Sequence, residues 1–560
     1  VTRNVGIPMR DGTLLYADVY RPALANGRPA AGRFPAVLVQ TPYGKSRATA
    51  LLSPAARPLF IRHGYVEVVV DVRGTGDSEG VWDVLGEKEQ RDYYDTARWV
   101  VAQPFSDGSF ATYGGSYLGI DQLLTAAQRP PGLKAVFAMV AADDMYRDWI
   151  GHGGAMTSQF PLWLGQQSAP NLAPSPPVVV SDPLAAVSIG VARATQRAAA
   201  RALASATIGD DLVYDGPFYR ARSPGEVVAR VTAPTFVVGG WHDLFQRGAP
   251  RLYDELRLAP GSKQLLVGPW YHTNVGEGLG VAGAPPELDD LALAWYDHWL
   301  MGADNGIERL GPVTVQPLGI ERWQTYDQFP PAGVSYERWY LRGEHRLGLT
   351  RPRSSVAHSL PANPVSGACS RSTFQWVFAA PAPAGLCDSD QRVQEVATFT
   401  YTSSPLTQPL HLAGPLALHL RASTTGRDAT WAATVSDVSP AGQSNPLTTG
   451  WLVQSMRAVD RARSTFTPRG DFVVPFHPFT RAGRRSVGRG STEDLDIEIF
   501  NTDAVLRAGN RLRLTVTAAD VPHLLPAAPA AAGGIGAIVT VRTSAAHPSY
   551  LVAPAAPAVS

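Results

Sequence analysis

A parallel α/β sheet, interrupted by a helical insertion and followed by an all-β sandwich, is the architecture this sequence predicts, and three observations predict it. From Phe34 to about Val140 short apolar runs alternate with helical patterns. Between Ala141 and Ala229 that rhythm gives way to helical segments rich in Ala, Arg and aromatics, among them Val191 to Ala206. After Gly302 short β-rich runs succeed one another with Pro, Gly and Ser between them. Strands joined by crossover helices make a parallel sheet, whereas regularly spaced strands without helices make a sandwich.

The elements follow in order. Strands are expected at Ala36 to Gln40, Val66 to Val72, Phe110 to Tyr113 and Ala135 to Val140, with a helix over Gln90 to Ala102. After the insertion the pattern resumes with a strand at Thr235 to Gly239, a helix over Pro250 to Arg257, a strand at Gln264 to Val267 and an amphipathic helix over Leu288 to Leu300. The sandwich strands are read at Val313 to Leu318, Glu337 to Leu341, Ala397 to Tyr401, Leu416 to Ala422, Trp431 to Val435, Leu495 to Phe500, Leu512 to Thr517 and Ala537 to Val541. Ser354 to Pro383 reads as a long surface loop and Ala553 to Ser560 as a frayed tail. The division is therefore 1–140 and 230–310 for the two parts of the α/β core, 141–229 for the insertion and 311–560 for the C-terminal domain.

A chain of 560 residues, 45% of them hydrophobic, can bury a core in each of these units. The net charge of +1 offers no excess to draw it to nucleic acid or an anionic membrane, and no apolar run is long enough to span a bilayer. Neither a zinc-protease motif, a cysteine cluster nor paired histidines suggests a metal, and no cofactor is expected. Cys369 and Cys387 sit in one Pro/Ser/Gly-rich stretch. They are either a disulfide, which would place the protein in a secreted or extracytoplasmic compartment, or two free thiols, which would suit a cytoplasmic one. The chain begins with Val, as either a processed precursor or a trimmed chain would.

The chemistry centres on Tyr113-Gly-Gly-Ser-Tyr-Leu-Gly119, between an expected strand and a helix. A serine flanked by small residues at a strand-to-helix turn has its Oγ exposed, the requirement of a nucleophile elbow, although the closing glycine here comes one residue late. Asp243, in Gly240-Trp-His-Asp243, follows one strand, and His272, in Gly268-Pro-Trp-Tyr-His272, follows the next. The chain order Ser116, Asp243, His272 is that of an α/β-hydrolase. His242 is the rival base, but side chains adjacent on a loop diverge, so it reads as a wall residue. The Asp71 to Gly80 stretch contains a G-x-G followed by carboxylates, which would repel a phosphate, and reads as a structural loop held by Arg73. One oxyanion donor is the backbone N–H of Tyr117. The other must come from Thr41-Pro-Tyr-Gly-Lys45, where the Tyr43 hydroxyl is the candidate, a core tyrosine being the alternative.

Taken together, Thr41 to Lys45, Asp71-x-Arg-Gly-x-Gly-x-Ser-x-Gly80, Gln103-Pro-Phe105, Gly114 to Gly119, Gly240-Trp-x-Asp243, Gly268-Pro-Trp-x-His272 and Trp295 to Leu300 resemble, in order, the cocaine esterase and X-Pro dipeptidyl-peptidase family of serine hydrolases. Trp323, Phe329-Pro-Pro331, Asp437-Val438 and Ala508 to Leu514 extend the similarity along the chain. The resemblance implies an α/β-hydrolase core, a helical cap at the insertion, a C-terminal jelly roll, the triad Ser116, Asp243 and His272, and oxyanion donors Tyr43 and Tyr117. Trp149, Phe160, Trp163 and Phe245 fall where such enzymes keep an aromatic acyl pocket, core packing being the alternative for each.

The expected activity is hydrolysis of a carboxylic ester with an apolar or aryl acyl group through an acyl-enzyme. An X-Pro dipeptidyl-peptidase or amide acylase is the alternative within the family, and a noncatalytic carbohydrate-binding or adhesion protein the alternative outside it. Leu118 stands where a carboxylate would assist binding of an α-ammonium group, which disfavours amino-acid esters. The partner is a small-molecule ester or amide, and a homodimer is compatible with the sequence.

Overall fold

The computed structural model describes residues 1–45, 56–171, 211–363, 366–376, 388–525 and 536–559. The helix expected over Val191 to Ala206 lies outside them. The first sheet contains β1 (Thr2–Pro8), β2 (Leu14–Tyr20), β3 (Phe34–Thr41), β4 (Val66–Asp71), β5 (Ser106–Gly115) and β6 (Leu133–Met139). A short hairpin, β7 (Gly151–His152) and β8 (Ala155–Thr157), belongs to the insertion, and the first sheet resumes with β9 (Thr235–His242), β10 (Lys263–Tyr271), β11 (Val313–Val315) and β12 (Gln324–Tyr326). Its order is β1-β2-β4-β3-β5-β6-β9-β10-β11-β12, parallel from β4 to β11 and antiparallel at both edges. A parallel strand covered on both faces needs no polar side, and β4, with Val66, Val68, Val69 and Val70, is buried along its whole length.

The insertion leaves the sheet and returns to it without breaking register: Val136 of β6 pairs with Thr235 of β9. In the first half, α1 (Pro58–Arg62), α2 (Glu87–Val101) and α3 (Tyr117–Ala127) connect the strands. The described part of the insertion holds a π-helical turn, Met145–Ile150, then β7, β8 and α4 (Gln159–Asn171).

Three readings of the sequence need correction. Val313–Val315, expected to open the sandwich, instead extends the first sheet beside β10, so this sheet runs past residue 310 to Tyr326. A short β-branched run carries no mark of which sheet it joins. Ser354 to Pro383 is no plain surface loop, because it contains the strand Val356–Pro361 and the helix Arg371–Trp376, whose Trp376 is fully buried. The tail is a strand rather than frayed as far as Ala555: Tyr550–Ala555 pairs with both Ser335–Arg342 and Leu410–Thr424. β1 and β2 escaped the sequence reading altogether, β1 having a mostly exposed face and a register shift between Thr2 and Val5.

The C-terminal strands form one sheet of eleven among the described residues. Its long strand Leu410–Thr424 pairs with Glu493–Leu506 on one side and with Ile538–Thr543 and Tyr550–Ala555 on the other, which closes the sheet upon itself. Closure leaves few exposed edges to pair with other chains.

The terminal strand carries Leu551, fully buried where these strands meet. Leu551→Ala should cost about 2–5 kcal/mol, as cavity-forming substitutions do, read as a lowered denaturation midpoint. Val393→Ala, at an exposed site, is the control and should leave that midpoint almost unmoved.

Candidate active site

Ser116 follows β5 directly and occupies the N-cap of α3 at φ 61°, ψ −125°, a region that L-residues enter only under strain. Its amide donates to the Met139 carbonyl at 3.0 Å, which ties the turn to β6. The glycine spacing now has a physical reason. A Cβ on Gly114 would come within 2.5 Å of the Leu118 Cβ, and one on Gly119 within 2.5 Å of the Met139 carbonyl oxygen. Leu118 thus occupies the usual place of the closing glycine, and the close approach to β6 falls at Gly119 instead.

Asp243 and His272 lie just beyond the C-terminal ends of β9 and β10, which are parallel neighbours with Gly240 opposite Gly268. His272 Nδ1 lies 2.6 Å from Asp243 Oδ1 and His272 Nε2 lies 2.9 Å from Ser116 Oγ. The other Asp243 oxygen, Oδ2, accepts the Phe245 amide at 2.5 Å. All three side chains are buried. With Nδ1–H committed to the carboxylate, Nε2 is left to take the serine proton, the division of labour a triad requires. His242 takes no part: it is buried against the Arg371 guanidinium, which donates to its Nδ1 at 3.0 Å. Burial and that cation hold the His242 pKa well below the usual histidine range.

Tyr43 presents its hydroxyl to the side chains of Ser116 and Trp163, and burial pushes its pKa up to about 12. The hydroxyl therefore keeps its proton at neutral pH, as a hydrogen-bond donor must. Its loop is anchored by Lys45, which the sequence reading quoted without assigning a task. The Lys45 amide donates to Asp71 Oδ1 at 2.5 Å, and its buried ammonium lies between Asp71, at 3.3 Å, and Asp77. The expected brace is present as well: Arg73 binds both oxygens of Asp92 on α2, at 2.6 and 2.7 Å.

The amide of Tyr117 is the first of α3, and its side chain is fixed from behind. The hydroxyl donates to Glu89 on α2, while it accepts Trp82 Nε1–H at 3.1 Å and the Leu85 amide at 3.0 Å. Tyr93 also donates to Glu89, at 2.5 Å. Burial lifts the Glu89 carboxyl to about 7 against the opposing pull of these hydroxyls. Nothing in the spacing of Glu89 and Tyr117 announced this contact.

The four aromatic candidates are brought together. Trp149 lies 5.3 Å from Phe160, 4.7 Å from Trp163 and 5.8 Å from Phe245 between ring centroids. Phe245 in turn reaches the His272 ring at 5.5 Å, and Trp163 stacks on Tyr117 at 6.1 Å. The aromatic cluster therefore adjoins both His272 and Tyr117, the residue after Ser116. Cys369 is half-buried before the helix Arg371–Trp376 and no described cysteine is a free thiol, while Cys387 lies outside the described residues.

Comparison with known proteins gives a consistent result. The family described as X-Pro dipeptidyl-peptidase (S15 family) matches residues 11–274, and the X-Pro dipeptidyl-peptidase C-terminal non-catalytic domain matches residues 305–552. Cocaine esterase of Rhodococcus sp. is 26% identical over 93% of this chain and 91% of its own. Two solved structures share the fold. An aminopeptidase from a marine sediment Thaumarchaeota archaeon covers 99% of this chain and 96% of its own, with TM-score 0.76 and 22% identity. An α-amino acid ester hydrolase has the same coverage, with TM-score 0.75 and 20% identity.

If Tyr43 is the side-chain donor to the oxyanion, Tyr43→Phe should lower kcat by about 10²–10³ while keeping the ring. Because the Tyr43 pKa is raised to about 12, the donor persists in alkali, so the ratio of wild-type to variant kcat should stay constant from about pH 7 to pH 10. A ratio that collapsed within that range would mean that the hydroxyl had ionised, and a ratio near one throughout would mean that it does not donate.

Proposed function

We propose, from the premise that this chain belongs to the X-Pro dipeptidyl-peptidase and cocaine esterase family of serine hydrolases, that it cleaves carboxylic esters through an acyl-enzyme formed on Ser116. The observation that carries the proposal is the continuous chain from Asp243 through His272 to Ser116, at 2.6 and 2.9 Å, ending on a serine held at positive φ. His272 Nε2 takes the proton as Oγ forms a bond to the ester carbonyl carbon. The oxyanion is received by the Tyr43 hydroxyl and the Tyr117 N–H. His272 then returns the proton to the leaving alcohol as the ester C–O bond breaks, and water, deprotonated by the same base, releases the acid.

The ring cluster of Trp149, Phe160, Trp163 and Phe245 supports an apolar or aryl acyl group as the preferred substrate. The peptidase alternative needs a carboxylate to bind an amino terminus. The carboxylate beside Trp149, that of Asp148, is already engaged by Arg247 at 2.8 Å and by the amides of Asp143 and Asp144 at 2.7 and 2.9 Å. We read the closed C-terminal sheet, antiparallel except for the single pairing of Arg346 with Thr402, as a jelly roll and the insertion as a cap. A Cys369–Cys387 disulfide would tether the helix Arg371–Trp376, and it supports an extracytoplasmic location.

A fluorophosphonate probe should label wild-type protein at Ser116 and leave Ser116→Ala unlabelled; an unlabelled wild type in its folded state would favour the noncatalytic, binding-protein reading. A short aryl ester should be turned over faster than a Gly-Pro anilide, and the reverse order would transfer the assignment to the peptidases. Nonreducing digestion and mass spectrometry should recover one peptide joining Cys369 to Cys387. Two alkylated thiols in unreduced protein would remove both the bond and the support for secretion.

A further inference from the structure

Asp243 and the four residues after it lie on a loop between the end of β9 and the next helix, Gly248–Glu255. A carboxylate on such a loop orients its histidine only if the backbone beneath it is held; the Gln246 amide donates to the Asp243 carbonyl at 3.2 Å from within the loop, and a second, shorter hold comes from a part of the chain that carries none of the reacting groups. The helix Arg371–Trp376 packs against the loop and contacts three consecutive residues. Arg371 donates to the His242 ring, Gln375 Nε2 donates to the Asp243 carbonyl at 2.5 Å, and Trp376 Nε1 donates to the Leu244 carbonyl at 3.2 Å. Gln375 also meets Gln246 Oε1 at 3.3 Å, while Gln246 Nε2 donates to the Asn501 carbonyl at 2.8 Å, which ties the same loop to a sandwich strand.

The helix is itself fixed. Arg371 Nε and its terminal nitrogens reach the Asp388 carbonyl at 2.7 and 2.5 Å and Asn445 Oδ1 at 2.8 Å. Gln375 is 5% exposed and Trp376 1%, so water has little room to replace either donor. These contacts have a directional consequence. Moving the Asp243 carbonyl shifts the carboxylate attached to the same residue, and with it the 2.6 Å hydrogen bond to His272.

We propose that Gln375 is a positioning residue for the ester hydrolysis, acting through the backbone of Asp243, so that the C-terminal domain completes the triad and does more than cover it. The proposal rests on the serine hydrolase reading above. It assigns Gln375 no contact with substrate and no proton transfer. Trp376 supports the same loop one residue later, and Arg371 holds the neutral His242 against it.

The test is a double-mutant cycle in full-length protein, with Gln375→Met removing the donor at nearly constant volume and Asp243→Asn removing the carboxylate. The rate of Ser116 labelling by a fluorophosphonate and kcat per titrated active site are measured for all four proteins. In the Asp243 background Gln375→Met should lower both by about tenfold with KM changed less than twofold, the scale expected for a small misplacement of a reacting group. In the Asp243→Asn background the same substitution should change them less than twofold, because the group it positions is gone. An equal loss in both backgrounds, or no loss in either, overturns the proposal. If Gln375→Met does not fold, Trp376→Phe removes the neighbouring donor while keeping an aromatic ring, and the same comparison decides. A wild type that fails to label would refute the hydrolase reading itself, which separates the two failures.

Discussion

Everything at this site depends on one costly backbone conformation, the positive φ of Ser116. A non-glycine residue in such a region costs on the order of 1–3 kcal/mol, and it persists only where the surroundings over-determine it. Here they do so on both sides. β5 delivers the chain into the turn, the Ser116 amide is pinned to Met139 at 3.0 Å, and α3 follows at once with every one of its residues buried. Gln122 strengthens the turn by donating to the carbonyls of Gly114 and Leu118, at 3.0 and 2.6 Å. The burial of Leu118, Ile120, Leu123 and Leu124, at about 1.5–3 kcal/mol each, exceeds the strain several times over. The elbow is a local cost that the packing of a whole helix offsets.

The proposed oxyanion donors show the same logic in electrostatic form. Tyr43 and Tyr117 can donate only from fixed positions, and each is fixed through a buried carboxylate. For Tyr43 the link runs through its loop neighbour Lys45, whose ammonium has Asp71 and Asp77 around it. For Tyr117 it runs through Glu89, which receives two phenolic hydroxyls and the Leu85 amide. An unpaired charge at such depth would be prohibitive, whereas breaking one of these pairs by removing a partner typically costs several kcal/mol. The Asp71 to Gly80 stretch, which carries the G-x-G that invites a nucleotide reading, thus serves to hold the Thr41 to Lys45 loop in place.

How much of this was legible in the sequence follows from how far each determinant lies from its partner. The parallel strands announced themselves because burial on both faces writes continuous apolar runs such as Val66 to Val70, and the triad did so because each member closes a strand. Tyr43, whose hydroxyl faces Ser116, was singled out because an oxyanion hole needs a second donor and its loop offered few. Lys45 and Glu89 were not assigned tasks, since a charged residue in a single sequence reads as solvated surface until its partners are known. Gln375 was hidden most deeply: its acceptor lies 132 positions away, and it sits in a Pro- and Ser-rich stretch whose composition suggests a loop. The strand at Tyr550–Ala555 was missed for a related reason, because a chain terminus has half the flanking pattern from which periodicity is read.

The two ends of the triad are therefore held by different means, and the topology explains why. Ser116 is followed immediately by a helix of eleven residues, so its position is set by packing local in sequence. Asp243 is followed by four residues before the next helix begins at Gly248, and that helix packs on β9 and β10. Local hydrogen bonds bridge only part of this loop, from the Gln246 amide to the Asp243 carbonyl at 3.2 Å and from the Gly248 amide to the Phe245 carbonyl at 2.8 Å, and its carbonyls find further partners elsewhere. The partners come from the C-terminal half, where Gln375, Trp376 and Asn501 occupy the Asp243, Leu244 and Gln246 carbonyls. On the proposed reading, an α/β core with this loop length relies on the helix Arg371–Trp376 and the strand Glu493–Leu506 for rigidity that its own connection supplies only in part.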